Sequence, residues 1–228
     1  MLTASPRWLT LAAVLGALLL RASEARADDP ATPPAENDTL DPLREQFRAG
    51  MASYQAGAFA DATVIWVPIY NKLGREKGYR LAFNIAKAYE QLGLTHERAG
   101  LKTWTADASQ AAEYFAAYVR ETSRRREAGE TLEPLIEKQE VEAKEHLGQI
   151  KIEGDVRGVE IKVDGDLLMS GAPYAWVTPA PATHVVTFRP GTPDEQRVTD
   201  VSVDAKKEIA LAVPAPASRH AVAPPPPP

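Results

Sequence analysis

The chain has 228 residues, a formal net charge of −5, 44% hydrophobic residues and 25% charged ones, enough for one or two globular domains. It contains no cysteine, which excludes disulfides and any thiol that could receive a lipid. The acidic balance, with no basic stripe to offset it, excludes nucleic acid as a partner.

Residues 1–27 read MLTASPRWLTLAAVLGALLLRASEARA, with Arg7 ahead of an apolar run from Trp8 to Leu20 and the small-residue pattern Ala25-Arg26-Ala27 behind it. The run is shorter than the roughly 18 residues that cross a bilayer, and Arg21 ends it. A secretory signal cleaved after Ala27 is therefore expected, the alternative being an uncleaved anchor. Cleavage would remove Arg7, Arg21, Arg26 and Glu24 and take the formal charge from −5 to −7. Residues 28–39, DDPATPPAENDT, have three prolines and no apolar period, the composition of a flexible leader.

From Leu40 to about Leu147 apolar residues recur at three and four, alanine is abundant and prolines are few, so residues 40–148 are read as helical. Pro68 is expected to kink its helix, Pro134 to sit in a first turn, and Gly148 to act as a stop. The stretch AFNIAKAYEQLG, residues 82–93, puts Phe83, Ile85, Ala86 and Tyr89 on an apolar stripe that stops at Gly93. After it, LTHERAGLKTWTADASQ delays the next clear helix to AAEYFAAYVRE. The cluster Arg124-Arg125-Arg126 precedes Gly129, as expected of cations at a helix C-terminus.

Beyond Gly148 the period changes to two. QIKIEG, GVEIKVDG, HVVTFRPG, RVTDVSVD and KEIALAV alternate branched or aromatic residues with polar ones, and Asp164-Gly165 is a hairpin signal. Residues 149–213 are thus read as six or seven short strands in a small antiparallel sandwich. Residues 214–228, PAPASRHAVAPPPPP, form a proline-rich tail expected to lie extended.

Two segments of the helical region echo each other. Gly50 precedes Tyr54, Gly57, Phe59 and Ala62, while Ala86 precedes Tyr89, Gly93 and Ala99; Gly57 and Gly93 are 36 residues apart. This spacing resembles the tetratricopeptide repeat, with Asn84, Ile85, Ala86 and Tyr89 where that family has its Asn-Leu-Gly…Tyr pattern. The resemblance implies two helix-turn-helix units, capped by a helix from about Leu132 to Leu147. The strand region is similar to the PEGA domain, a small bacterial envelope module. Gly158, Val159, Ile161, Val163, Asp164 and Gly165, then Gly171 and Pro173, then Pro190 and Gly191 carry that likeness, although the name-giving Pro-Glu-Gly-Ala is absent. The fold class expected is therefore multidomain, α then β: a tetratricopeptide-like helical array followed by a small PEGA-like antiparallel sandwich.

No constellation carries chemistry. There is no Gly-x-Ser-x-Gly, and Ser170-Gly171 has no acid-base partner nearby in sequence. His96, His146, His184 and His220 fall on four different elements without zinc-ligand spacing. Glu160, Asp164 and Asp166 lie in a loop too short for an EF-hand. Trp66 falls on an apolar face as a core residue, whereas Trp104 and Trp176 lie in irregular stretches, as core edges or as surface. The chain is expected to be non-enzymatic, with no cofactor, no metal and no small-molecule substrate.

What remains is a surface for a partner. The tetratricopeptide resemblance implies a concave groove lined by first helices, here by Phe47, Met51 and Tyr54 and by Phe83, Lys87 and Glu90. Such a groove takes a protein or peptide partner. The competing reading is a cell-wall glycan binder that uses Tyr174-Ala175-Trp176 of the sandwich.

Overall fold

The computed structural model describes residues 37–168 and 174–216. The expected signal peptide, the Gly171 and Pro173 turn, Ser170, His220 and most of the proline-rich tail lie outside these residues. The chain divides into two compact units, one up to Glu121 and one from Thr122 onward. Secondary structure switches from helix to strand at Gly148, as the period change implies, but the compact units part earlier, so the end of one helix and all of the next group with the strands.

Helix α1 spans Asn37–Gln55, α2 Phe59–Arg98, α3 Trp104–Glu127 and α4 Pro134–Lys144. The first begins at Asn37, inside the segment read as leader. Each of the first two links is closed by the same device. A left-handed glycine, Gly57 or Gly100, follows the helix, and crossed bonds return to the last turn: Ala58 N–H to Ser53 O and Leu101 N–H to His96 O, both 2.9 Å. Within α2 the backbone stays helical through Pro68, where a kink was expected. The break falls at Gly74, with φ 72° and ψ 171°, which separates segments 59–73 and 75–98. Pro68 is accommodated because the carbonyl it leaves free belongs to Val64, a residue exposed to water.

Gly93 does not stop its helix, which runs on to Arg98. It is buried where α3 crosses: a Cβ there would lie 3.3 Å from Asp107 Cβ and 3.5 Å from the Trp104 carbonyl. The glycine is thus a close-approach residue, and α3 starts at Trp104, well before the sequence pattern becomes plain. Gly50 plays the same part under Trp66, where an added Cβ would sit 2.6 Å from the indole Cδ1. Trp66 is buried as expected, stacked on Phe47 and tilted on Tyr54, and its indole N–H donates to Phe47 O at 3.2 Å. Farther along, Phe83 packs edge-on against Phe115 and Tyr79 stacks on Tyr118.

The second unit holds α4 and seven strands among the described residues: β1 Gly148–Glu153, β2 Ile161–Val163, β3 Asp166–Leu168, β4 Tyr174–Val177, β5 His184–Phe188, β6 Gln196–Val201 and β7 Glu208–Ala212. Pro134 opens α4 as expected, while the helix ends at Lys144 and Gly148 opens β1. The strands form two sheets, β4-β1-β7 and β3-β2-β5-β6. They share one core of branched residues and Phe188, with Ile150, Ile152 and Val177 from one sheet facing Ile161, Val186 and Val201 from the other.

The four-stranded sheet is antiparallel throughout, and its Asp164-Gly165 hairpin has both residues at positive φ, as a two-residue turn between Val163 and Asp166 requires. The three-stranded sheet departs from the antiparallel expectation. β7 pairs with β1 in parallel, Ile150 opposite Ile209, because the last strand returns beside the first in the same direction. Trp176, read as irregular, lies in β4. The start of the tail does pack: Arg189 Nη1 donates to Pro214 O and Gln196 Nε2 to Ala215 O, each 2.9 Å.

Candidate partner-binding surface

The six residues expected to line the groove fall into two sets. Phe47 and Tyr54 gather around Trp66, and Met51 beside them is half-buried. Lys87 and Glu90, one turn apart on α2, form a partly buried ion pair. Two of the six are corrected. Phe83 is 2% exposed, enclosed by Phe115 and Tyr118, and Phe47 is buried against Trp66, so both rings belong to the core. The repeat resemblance placed them in the groove, but aromatic residues of the neighbouring helices reach and cover them. Met51, Tyr54, Lys87 and Glu90 are partly exposed.

Asn84 was not among the six groove residues. It lies one turn before Lys87, and its side-chain amide nitrogen is buried without a hydrogen-bond partner among the described residues. A buried donor left unmade costs about 1–3 kcal/mol. On the opposite side of the same helix Tyr89 stacks on Tyr114, which also meets Tyr70 edge-on. Burial, with Tyr89 and Tyr70 adding to it, pushes the Tyr114 phenol up to about 12, and burial also raises Tyr70. These hydroxyls therefore remain neutral and serve packing.

Two polar clusters in the second unit could be mistaken for chemistry. His184 is buried at the head of β5, with Nδ1 2.7 Å from Asp164 Oδ2 and Nε2 2.8 Å from Thr178 O. The other carboxylate oxygen of Asp164 accepts Val185 N–H at 2.9 Å. Both ring nitrogens and both carboxylate oxygens are thus occupied, and the cluster ties the β2–β3 turn and the start of β5 to the chain after β4. Glu140, 2% exposed on α4, is gripped by Arg126 at 2.6 and 3.1 Å and by Lys144 at 2.6 Å. Lys144 also lies 5.2 Å from the centre of the Trp176 ring. Burial would raise the Glu140 carboxyl, but the hydrogen bonds and charges of Arg126 and Lys144 outweigh it and hold it below the ordinary range.

Arg125 donates to Glu130, so two members of the arginine cluster are committed to carboxylates in addition to their place in the last turn of α3. Among the described residues no group of His, Asp and Glu could hold a metal ion, and no helix is long and apolar enough to cross a membrane. On the outer face of the three-stranded sheet Tyr174 is 46% exposed opposite Lys151, while Trp176 opposite Gln149 is partly covered by Lys144. No protein-family model, no curated protein and no solved structure matches the chain.

Proposed function

We propose that the protein is a non-enzymatic, exported component of a bacterial envelope that binds a protein partner through its helical unit. In this reading the helical unit is a short tetratricopeptide-like array and the strand unit a PEGA-like sandwich. The observation that carries it is the buried, unpartnered amide of Asn84 beside the Lys87–Glu90 pair, on a helix that also follows the repeat pattern at Ile85, Ala86 and Tyr89. An extended peptide supplies backbone carbonyls to such a donor, and the ion pair selects charge next to it. Two successive helical hairpins, with glycines at the close crossings, support the array.

The test is affinity capture from the native envelope with the protein and with Asn84→Leu, which fills the space without a donor. A partner retained by the first and lost by the second supports the reading. Equal retention by both sinks the assignment of Asn84. Export is checked on the same material, where the expected N-terminus is Asp28. A glycan-binding reading keeps one observation, the exposed Tyr174 ring opposite Lys151. Saturable retention on peptidoglycan that disappears in Tyr174→Ser would favour it.

A further inference from the structure

The two sheets have four outer edges, formed by β3, β6, β4 and β7. An open edge is blunted by shortness, by charge or by a bulge. β3 and β4 are short, with three and four residues. β6 carries Arg197 and Asp200, its pairing with β5 shifts register between His184 and Val186, and Asp200 has φ 58°. β7 has none of these features: its five residues, Glu208–Ala212, contain no proline and no positive φ, and its one charge stands at the first position.

The backbone bonds at either end fix which groups β7 turns outward. Gln149 N–H donates to Lys207 O and Val213 N–H to Glu153 O, each at 2.9 Å, so the alternate residues Lys207, Ile209, Leu211 and Val213 bond to β1. The N–H and C=O groups of Glu208, Ala210 and Ala212 point to the free edge, and they have no hydrogen-bond partner among the described residues. These three residues are exposed, whereas Ile209 and Leu211 lean on the core and are only partly buried. Such a row of donors and acceptors fits one kind of ligand, another extended backbone.

We propose that β7 pairs with β7 of a second copy of this chain, antiparallel about a twofold axis at Ala210. In this register Ala210 faces Ala210 of the second copy and Glu208 faces Ala212, so every outward N–H and C=O of the three residues gains a partner. On the core side Ile209 meets Leu211 of the second copy, which covers apolar surface that each chain leaves partly open. No like charges meet, because Glu208 stands opposite an alanine. Slipped by two residues in one direction, Glu208 would face Pro214, which has no N–H; in the other, Ala212 would face Lys206, whose φ of 62° takes it out of the strand. An axis at Glu208 would set two carboxylates against each other. The strand is thus complementary to itself in one register, and this selects a second copy as the occupant. The inference rests neither on the groove nor on Asn84.

Sedimentation equilibrium of the purified protein from micromolar to about millimolar concentration tests it, a range suited to an interface this small. A monomer–dimer equilibrium is expected. Ala210→Pro removes an N–H that β1 does not use, so the sheet keeps its bonds while both bonds across the axis are lost. The dissociation constant should then rise about tenfold or more. Ala210→Lys and Ala210→Glu each place like charges directly opposite and should each weaken association about threefold, and the two mixed in equal parts should recover it. All three alter an exposed position, so thermal unfolding of the dilute protein should match the parent; should Ala210→Pro misfold, the charged variants carry the test. A monomer throughout the range, a dimer indifferent to Ala210→Pro, or a failure of the mixed charges to recover association overturns the proposal.

Discussion

The two units are held by opposite means. The helical unit relies on volume: Gly50 and Gly93 remove side chains where helices cross, and aromatic rings such as Trp66, Phe83, Phe115 and Tyr118 fill the space. The strand unit has an undemanding core of branched aliphatics, with polar groups buried at fixed points, Glu140 between two cations and His184 between two acceptors. A helix crossing is therefore sensitive to added atoms, and the strand unit to lost partners. Substitutions that separate these responses break or sharpen the contrast.

The largest effect is expected at Gly50. A side chain there meets the Trp66 indole, with Cε2 2.8 Å from the first added carbon, and the ring is pinned by its bond to Phe47 O and by stacking on Phe47 and Tyr54. Gly50→Leu should cost at least about 3 kcal/mol, the upper end for overpacking. Urea unfolding followed by Trp fluorescence measures it. A midpoint close to the parent's would mean that the crossing is loose and the volume argument wrong.

Next is Glu140. Replacing it with Gln leaves Arg126 and Lys144 without their counter-charge. The loss should be about 2 kcal/mol, below the figure for a fully buried pair because the Arg126 guanidinium reaches solvent. The pH dependence follows from the direction of its shift. The folded carboxyl is held below its ordinary value of 4.5, so its stabilisation is complete above that value and is lost as the pH falls through the lowered folded one. Urea midpoints at neutral pH and in acid should converge for the parent and Glu140→Gln. Parallel curves, separated equally at both pH values, would exclude this carboxylate as the source.

His184→Phe keeps an aromatic ring at the head of β5 but strands the Thr178 carbonyl and one Asp164 oxygen, for a loss of about 1–2 kcal/mol. Asp164→Asn should lose less, since Asn tolerates the left-handed backbone, φ 53°, and still accepts Val185 N–H. Thermal melts of the two variants give the order. If Asp164→Asn were the worse, the turn and not the histidine would hold that end of the sheets.

What the sequence made legible was local. Strand alternation, the Asp164-Gly165 turn, Pro134 at a helix start and the burial of Trp66 each depend on neighbours within a few residues. What it hid was decided by distant partners. Gly93 reads as a helix stop until α3 is seen to cross it, and the parallel return of β7 beside β1 joins the two ends of the strand region. Trp104 and Trp176 looked irregular because the elements that contain them begin without a clear period. For the site, the repeat resemblance put Phe47 and Phe83 in one groove with Lys87. Only the reach of Trp66 and Phe115 from other helices shows that their rings are covered.

The smallest effect on stability, and the most informative for binding, is expected at Lys87. Lys87→Glu sets two acids one turn apart on α2, which should cost about 0.5 kcal/mol through like-charge repulsion. The double exchange Lys87→Glu/Glu90→Lys restores an ion pair with reversed direction and should return the melting temperature to near the parent's. Binding should not follow. A partner that reads charge on this strip meets the opposite pattern in the double variant, so affinity should stay low while stability recovers. Melting curves and capture of the envelope partner on the parent, the single and the double variant separate the two. If affinity recovers together with stability, the pair holds the helix and is not read by the partner, and the binding surface must be sought away from Lys87 and Glu90.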